Sequence, residues 1–142
     1  MIKGTLIIVA LTLTAAVATH WFHPRAPAWF LVDEKLNDDE VSMAEIEKRW
    51  QGNVFWIDAR IRQQFEQEHV PGAILINEQE LDNLLLEHLD KLQDNKKPIV
   101  IYCDGLACHA SHKMRKYLTE NLAIMNVWVL KGGWPAWKAA KK

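Results

Sequence analysis

Four short apolar runs rich in β-branched and aromatic residues set the main constraint on how this 142-residue chain folds. They occupy residues 54–57, 73–76, 98–102 and 127–130, and each has the length of a strand that is buried on both faces. Segments with helical periodicity separate them. Because strands that alternate with helices build parallel sheets, the pattern predicts an α/β fold with a central, mostly parallel sheet flanked by helices.

Local signals place the helices and turns between these runs. Ser42 and Glu45 have the spacing of a capping box, and Val41 and Ile46 have that of its hydrophobic staple, so a helix begins there and ends near residue 52. Five leucines at spacings of 3, 1, 4 and 3 form one face of a second helix: Leu81, Leu84, Leu85, Leu89 and Leu92. Further helices are predicted over residues 61–68, over residues 110–121 and from residue 134 onward, with turns at residues 71–72 and 132–133.

Composition excludes several classes of protein. The length supports one domain, and 17 Lys+Arg against 18 Asp+Glu with a mean hydropathy of -0.16 is unlike a nucleic-acid-binding or disordered chain. Two cysteines cannot hold a disulfide-dense mini-fold, so a hydrophobic core must supply most of the stability.

The charges are unevenly distributed along the chain. Residues 1–32 carry a net charge of +2, residues 33–96 carry -9, and residues 97–142 carry +6. Two interpretations stay open: the surface charge is simply uneven, or the last third handles an anion.

The first 22 residues are typical of a membrane element. Residues 4–18 contain no charge, Lys3 precedes them, and Trp21 has the position of a belt residue at a bilayer surface. The segment is either a cleaved signal peptide that ends at Ala18 or a signal anchor, and the continuation of the apolar run to Phe22 favours the anchor. Either way we expect export, with residues 23–40 as a linker and residues 41–142 as a domain facing the periplasm or the cell exterior.

The strongest chemical signal is Cys103, which directly follows the predicted strand over residues 98–102. Ligands of open α/β sheets bind beyond the carboxyl ends of the strands. The glycine-containing loop after Cys103 and the helix that follows would aim backbone N–H groups at its sulfur, lower the pKa of the thiol and make it a nucleophile. The alternative is that Cys103 is a small buried apolar residue.

Taken together, four segments resemble a rhodanese (sulfurtransferase) domain over about residues 40–140. They are, in order, Ile57-Asp58-Ala59-Arg60, His69-Val-Pro-Gly-Ala73, Ile99-Val-Ile-Tyr-Cys103 and Leu130-Lys-Gly-Gly-Trp-Pro-Ala-Trp137. The resemblance implies that Cys103 takes up a sulfane sulfur as a persulfide and passes it to a thiol or another thiophilic acceptor, without a cofactor.

The resemblance also implies roles for other residues. The loop that would bind the substrate consists of Asp104, Gly105, Leu106, Ala107 and His109. Structural support would come from Asp58, Arg60, His69 and Gly72. The implied partners are a small sulfur-containing anion or a persulfide as donor, a thiol as acceptor and the membrane through the N-terminal helix, with no nucleic acid.

The loop departs from the family pattern. With Ser111 aligned to the serine that opens the family's helix, this loop is about two residues longer and contains no arginine. The sulfur donor, thiosulfate included, is therefore left open. A phosphatase is excluded, because the first arginine after Cys103 is Arg115, too far along the helix to clamp a phosphate.

Cys108 lies in the same loop and has several interpretations. It is either a resolving thiol for Cys103, in the manner of a thiol–disulfide or persulfide reductase, or a residue packed under the loop. Two minor alternatives are a widened haem-attachment pattern that ends at His109, and a zinc site that adds His112. His109 and Lys113 could place positive charge at the rim of the site. A non-catalytic rhodanese-fold binding module also stays open.

Overall fold

The computed structural model describes residues 36–105 and 109–141. The described strands are β1 (Glu40–Val41), β2 (Phe55–Asp58), β3 (Ile74–Leu75), β4 (Ile99–Tyr102) and β5 (Val127–Leu130). The described helices are α1 (Met43–Trp50), α2 (Arg62–Gln67), α3 (Leu81–Asp94), α4 (His109–Asn121) and α5 (Gly133–Ala140).

The strands form one sheet in the order β1-β5-β4-β2-β3, and each neighbouring pair is parallel. The predicted α/β fold with a parallel sheet is therefore confirmed. The sequence did not reveal β1, a two-residue edge strand that pairs Glu40 with Val129 and Val41 with Leu130. Two residues are too few to show a strand periodicity.

Strand β4 lies at the centre of the sheet, and its side chains alternate between two cores. Ile99 and Ile101 pack with residues of α3 and α4, whereas Val100 and Tyr102 pack with residues of α1 and α5. All four are at most 1% exposed, which explains the continuous apolar run. The chain that leaves β4 is thereby held at the middle of the sheet's carboxyl edge.

The predicted helix signals are confirmed in detail at α1. Ser42 Oγ accepts a hydrogen bond from the Glu45 backbone N–H, and the Glu45 carboxylate accepts one from the Ser42 N–H, both at 3.2 Å. Gln51 caps the C-terminal end of the helix in a left-handed conformation with φ of 53°. Helix α3 buries Leu84, Leu85 and Leu92 as predicted, and it also buries His88.

The predicted membrane segment over residues 1–22 lies outside the described residues. Within residues 36–105 and 109–141, none of the helices combines the length and the apolar character that crossing a bilayer requires. Export and tethering of the domain stay predictions.

Ion pairs connect the basic last third of the chain to its acidic middle. They join Lys113 to Glu78 at 3.1 Å, Arg115 to Asp39 at 3.5 Å, Lys131 to Glu40 at 3.3 Å and Lys138 to Glu68 at 2.7 Å. Much of the segmental charge asymmetry is therefore neutralised by contacts inside the domain.

Candidate active site

Cys103 follows the last residue of β4 and lines a cavity of about 480 Å³ at the carboxyl edge of the sheet. The other lining residues follow β2, β3 or β4 or begin α4: residues 59–61, 77–79, 104–105 and 109–110. Cys103 is 6% exposed. The cavity thus lies where an open α/β sheet binds its ligands.

The structure brings together only some of the residues that the sequence singled out. Arg60, Asp104, Gly105 and His109 line the cavity beside Cys103. Asp58, His69 and Gly72 are absent from the described lining. The remaining loop residues, Leu106, Ala107 and Cys108, lie outside the described residues, so their predicted roles stay predictions.

The backbone of Cys103 is held by the turn that begins α5. Its carbonyl oxygen accepts a hydrogen bond of 2.7 Å from the Trp134 N–H. Gly133 lies so close that a Cβ there would overlap this oxygen and lie 3.0 Å from the carbonyl carbon, and φ at Gly133 is +54°. A glycine is therefore required on both counts, close approach and backbone conformation. The sequence predicted a turn here, but not its contact with Cys103.

Asp58 and Arg60 form a buried ion pair beside the cavity. The Asp58 carboxylate accepts hydrogen bonds from Arg60 Nε at 3.0 Å, from Nη2 at 2.7 Å and from the Arg60 backbone N–H at 2.9 Å. Burial alone would lower the pKa of Arg60, but the hydrogen bond and charge of Asp58 outweigh it, and the pKa is raised. Nη2 also donates to the Glu68 carbonyl oxygen at 2.7 Å.

The Arg60 guanidinium lies 4.4 Å from the centroid of the Trp134 ring, a cation–π contact. Because its side chain is only 4% exposed, this cation is committed to the protein's own groups. Arg60 thus connects the end of β2 to the start of α5, and the same first turn of α5 binds the Cys103 carbonyl through the Trp134 N–H.

Tyr102 supports the neighbouring turn. Its ring stacks on Trp134 at 5.9 Å, and its hydroxyl oxygen accepts a hydrogen bond of 3.1 Å from the Val70 N–H. Burial raises the pKa of this phenol, so it stays neutral at physiological pH. Val70 lies in the turn that also contains His69 and Gly72. His69 Nδ1 is 2.7 Å from the Phe65 carbonyl oxygen, and φ at Gly72 is +81°.

Asn77 is a lining residue that the sequence analysis missed. Its side chain is buried, donates to the Arg60 carbonyl oxygen at 3.2 Å and accepts from the Glu80 N–H at 3.0 Å. It connects the end of β2 to the first turn of α3. Its position directly after the apolar run over residues 73–76 was the available signal, because residues that follow parallel strands meet at one edge.

Helix α4 contains two more of the residues that the sequence singled out, Ser111 and His112. Ser111 is fully buried, and its hydroxyl has no hydrogen-bond partner within the described part of the chain. His112, considered above as a zinc ligand, directs its ring nitrogens at Asp39 (3.1 Å) and Glu40 (3.5 Å). Residues 36–105 and 109–141 contain no group of three or more His, Cys, Asp or Glu side chains arranged to hold a metal ion.

Cys103 is disulfide-bonded in this structure. Its Sγ lies 3.6 Å from the Gly105 carbonyl oxygen, a contact rather than a hydrogen bond, because a disulfide sulfur carries no proton. The sequence contains one other cysteine, Cys108, which lies outside the described residues.

These features define a parallel α/β domain whose candidate reactive group is a cysteine at the carboxyl end of its central strand. The family model of the rhodanese-like domain matches residues 42–140. The chain therefore belongs to the rhodanese-like domain family.

Solved structures share this fold at low sequence identity. The human single-domain sulfurtransferase is 20% identical with a TM-score of 0.56, and the match covers 75% of this chain and 100% of that one. A Bacillus halodurans protein is 26% identical with a TM-score of 0.54 and 72% of each chain covered. The rhodanese-like domain of an Anabaena protein is 21% identical with a TM-score of 0.54, covering 73% of this chain and 76% of that one. No curated protein matches the chain.

Proposed function

We propose that this rhodanese-like domain is a sulfurtransferase in which reduced Cys103 carries a sulfane sulfur as a persulfide. The observation that carries the proposal is the position of Cys103 in the cavity at the end of β4, with its backbone fixed by Trp134. The 13-residue helix α4 begins at His109, which lines the same cavity. The positive end of its dipole favours an anionic sulfur there.

The reaction has two displacement steps. The Cys103 thiolate attacks the outer sulfur of the donor, a new S–S bond forms at Sγ, and the donor's own S–S bond breaks with its electron pair leaving on the donor fragment. An acceptor thiolate then attacks the terminal sulfur of the Cys103 persulfide. The acceptor becomes a persulfide, and the Cys103 thiolate is regenerated. No net oxidant or reductant is consumed, and the fold shared with the human single-domain sulfurtransferase is compatible with this chemistry.

The test is the mass of the full chain after reduction, desalting and incubation with a sulfane-sulfur donor. We expect a gain of one sulfur atom that maps to Cys103, that an acceptor thiol removes, and that Cys103→Ser abolishes. If several chemically different donors add no sulfur to Cys103, the proposal is wrong, and the domain is better described as a binding module of the same fold.

A second candidate function follows from the disulfide at Cys103. In a thiol–disulfide reductase, the Cys103 thiolate would attack a substrate disulfide, and a second thiol would resolve the mixed disulfide and leave an oxidised pair. An external dithiol would then reduce that pair. Cys108→Ser separates the two functions: persulfide transfer that survives this change supports the sulfurtransferase, whereas complete loss of turnover supports the reductase.

A further inference from the structure

The cavity beside Cys103 is lined by as many carboxylates as basic side chains, whereas a doubly negative substrate needs an excess of positive charge or hydrogen-bond donors. Its ionisable lining residues other than Cys103 are Arg60, Glu78, Asp104 and His109. Two of these four are carboxylates. A site that binds a dianion normally offers several donors or cations that are free to face it.

Two basic side chains near the cavity, Arg60 and Lys113, already form ion pairs with carboxylates of the protein. The Arg60 guanidinium is 4% exposed and is held by Asp58. At the rim, Lys113 Nζ lies 3.1 Å from the Glu78 carboxylate, so these two charges neutralise each other. Neither residue leaves net positive charge for a ligand.

Asp104 is the exception among these charges. It directly follows Cys103, it is exposed, and it forms no ion pair with any residue of the described ranges 36–105 and 109–141. The sequence from residue 104 to residue 109 contains no Lys or Arg that would offset it. In the described part of the lining, Asp104 is therefore a carboxylate beside the sulfur that no Lys or Arg neutralises, and His109 is the remaining ionisable group.

We propose that Asp104 is a specificity-determining residue that disfavours dianionic donors such as thiosulfate. The site then favours persulfides of thiols that leave as neutral or cationic molecules. This inference rests on the proposed sulfurtransferase function and narrows its donor class. In the favoured reaction, Cys103 takes the outer sulfur of the persulfide and the free thiol departs. With thiosulfate as donor, a dianion would have to bind close to the Asp104 carboxylate, and sulfite, a second anion, would have to leave from the same place.

The size of the effect follows from Coulomb's law. Two negative charges at roughly 6 Å from one carboxylate in a water-like medium change a rate by about tenfold. Removing the charge of Asp104 should therefore raise the rate of sulfur loading from thiosulfate by about tenfold at low salt, and added salt should reduce this gain. An ionised persulfide with one negative charge should respond by about threefold, and a zwitterionic persulfide by less than about twofold, because each brings less net charge to the carboxylate than the thiosulfate dianion does.

The experiment measures the rate at which the reduced full chain gains one sulfur on Cys103 from three donors. These are thiosulfate, the persulfide of 2-mercaptoethanol and the persulfide of cysteamine, which differ in charge. The variants are Asp104→Asn and Asp104→Lys, with Asp94→Asn as the matched control. Asp94 is an exposed carboxylate at the end of α3, before β4 begins, and therefore at the opposite edge of the sheet.

We expect the unmodified chain to load from both persulfides faster than from thiosulfate. Asp104→Asn should raise the thiosulfate rate selectively, Asp104→Lys should raise it further, and Asp94→Asn should leave the ratios of the donors unchanged. The inference is overturned if thiosulfate is the best donor of the unmodified chain, or if Asp104→Asn changes all three rates alike. Failure of all donors to load Cys103 is a different result, because it overturns the sulfurtransferase itself.

Discussion

Gly133 offers a direct test of how the C-terminal turn positions the candidate nucleophile. Its φ is +54°, and a Cβ at this position would overlap the Cys103 carbonyl oxygen and lie 3.1 Å from the Gly105 nitrogen. We predict that Gly133→Ala destabilises the domain and displaces the Cys103 backbone. The displacement should also weaken the 2.7 Å hydrogen bond from the Trp134 N–H to the Cys103 carbonyl.

Two contributions set the magnitude. A left-handed conformation costs an alanine about 1–2 kcal/mol. Relief of the overlap requires the turn to move away from Cys103, which costs about 1 kcal/mol for the weakened hydrogen bond and about 1–3 kcal/mol for the disturbed packing. Together these predict a loss of about 3–6 kcal/mol in the free energy of unfolding, a large share of the stability of a small domain.

Urea unfolding measures the stability, and the rate of alkylation of reduced Cys103 by iodoacetamide reports the local displacement. The matched control is Gly72→Ala, where φ is +81° but the described residues other than its chain neighbours place no atom within 4 Å of the added Cβ. This control should show only the conformational cost of about 1–2 kcal/mol and an unchanged alkylation rate. If Gly133→Ala costs no more than Gly72→Ala and leaves the alkylation rate unchanged, the argument that this turn positions Cys103 is wrong.

Three further predictions concern other parts of the chain. Asp58→Asn leaves the buried Arg60 guanidinium without its counter-charge and should cost about 3–5 kcal/mol in urea unfolding, whereas Glu80→Gln at an exposed ion pair should cost much less. Burial lowers the pKa of His88 below its ordinary 6.5, so the unfolded chain binds a proton first on acidification. Stability should therefore fall below about pH 6.5, by at most about 1.4 kcal/mol per pH unit, and His88→Leu should remove this part of the slope; an unchanged slope would contradict the assignment. If residues 1–22 are an anchor, the full chain should stay with membranes in a sodium-carbonate wash, and release of a shortened chain would instead indicate a cleaved signal peptide.

The sequence predicted most of the fold because buried strands and helix faces require apolar residues at regular spacings along the chain. Strand β4 is covered on both faces, so each of its residues must be apolar, and that run was recognised without any structure. The capping box of α1 was recognised for a similar reason, since its two hydrogen bonds join residues only three apart. Cys103 was found because it directly follows the strand that is easiest to recognise.

Contacts between residues distant in sequence produce no such local pattern, and the sequence did not predict them. Strand β1 owes its existence to pairing with β5, about ninety positions further along the chain. Asn77 lines the cavity through bonds to Arg60 and Glu80, and Gly133 meets Cys103 only after α5 has folded back onto the sheet. Local propensity carries no information about such contacts, so they could be read only from the assembled domain.

The distribution of charge shows how the sequence and the structure complement each other at the candidate site. Residues 97–142 contain only two acids, Asp104 and Glu120, among eight basic residues. Glu120 lies 4.0 Å from Lys116, one helical turn away, and four other basic residues of this segment pair with acids of residues 33–96. Basic side chains are thus drawn into ion pairs throughout the domain, while Asp104 stands without an ion pair in the described part of the chain. On our proposal, this exposed carboxylate beside the candidate nucleophile repels the anions that the segment's net charge would otherwise attract.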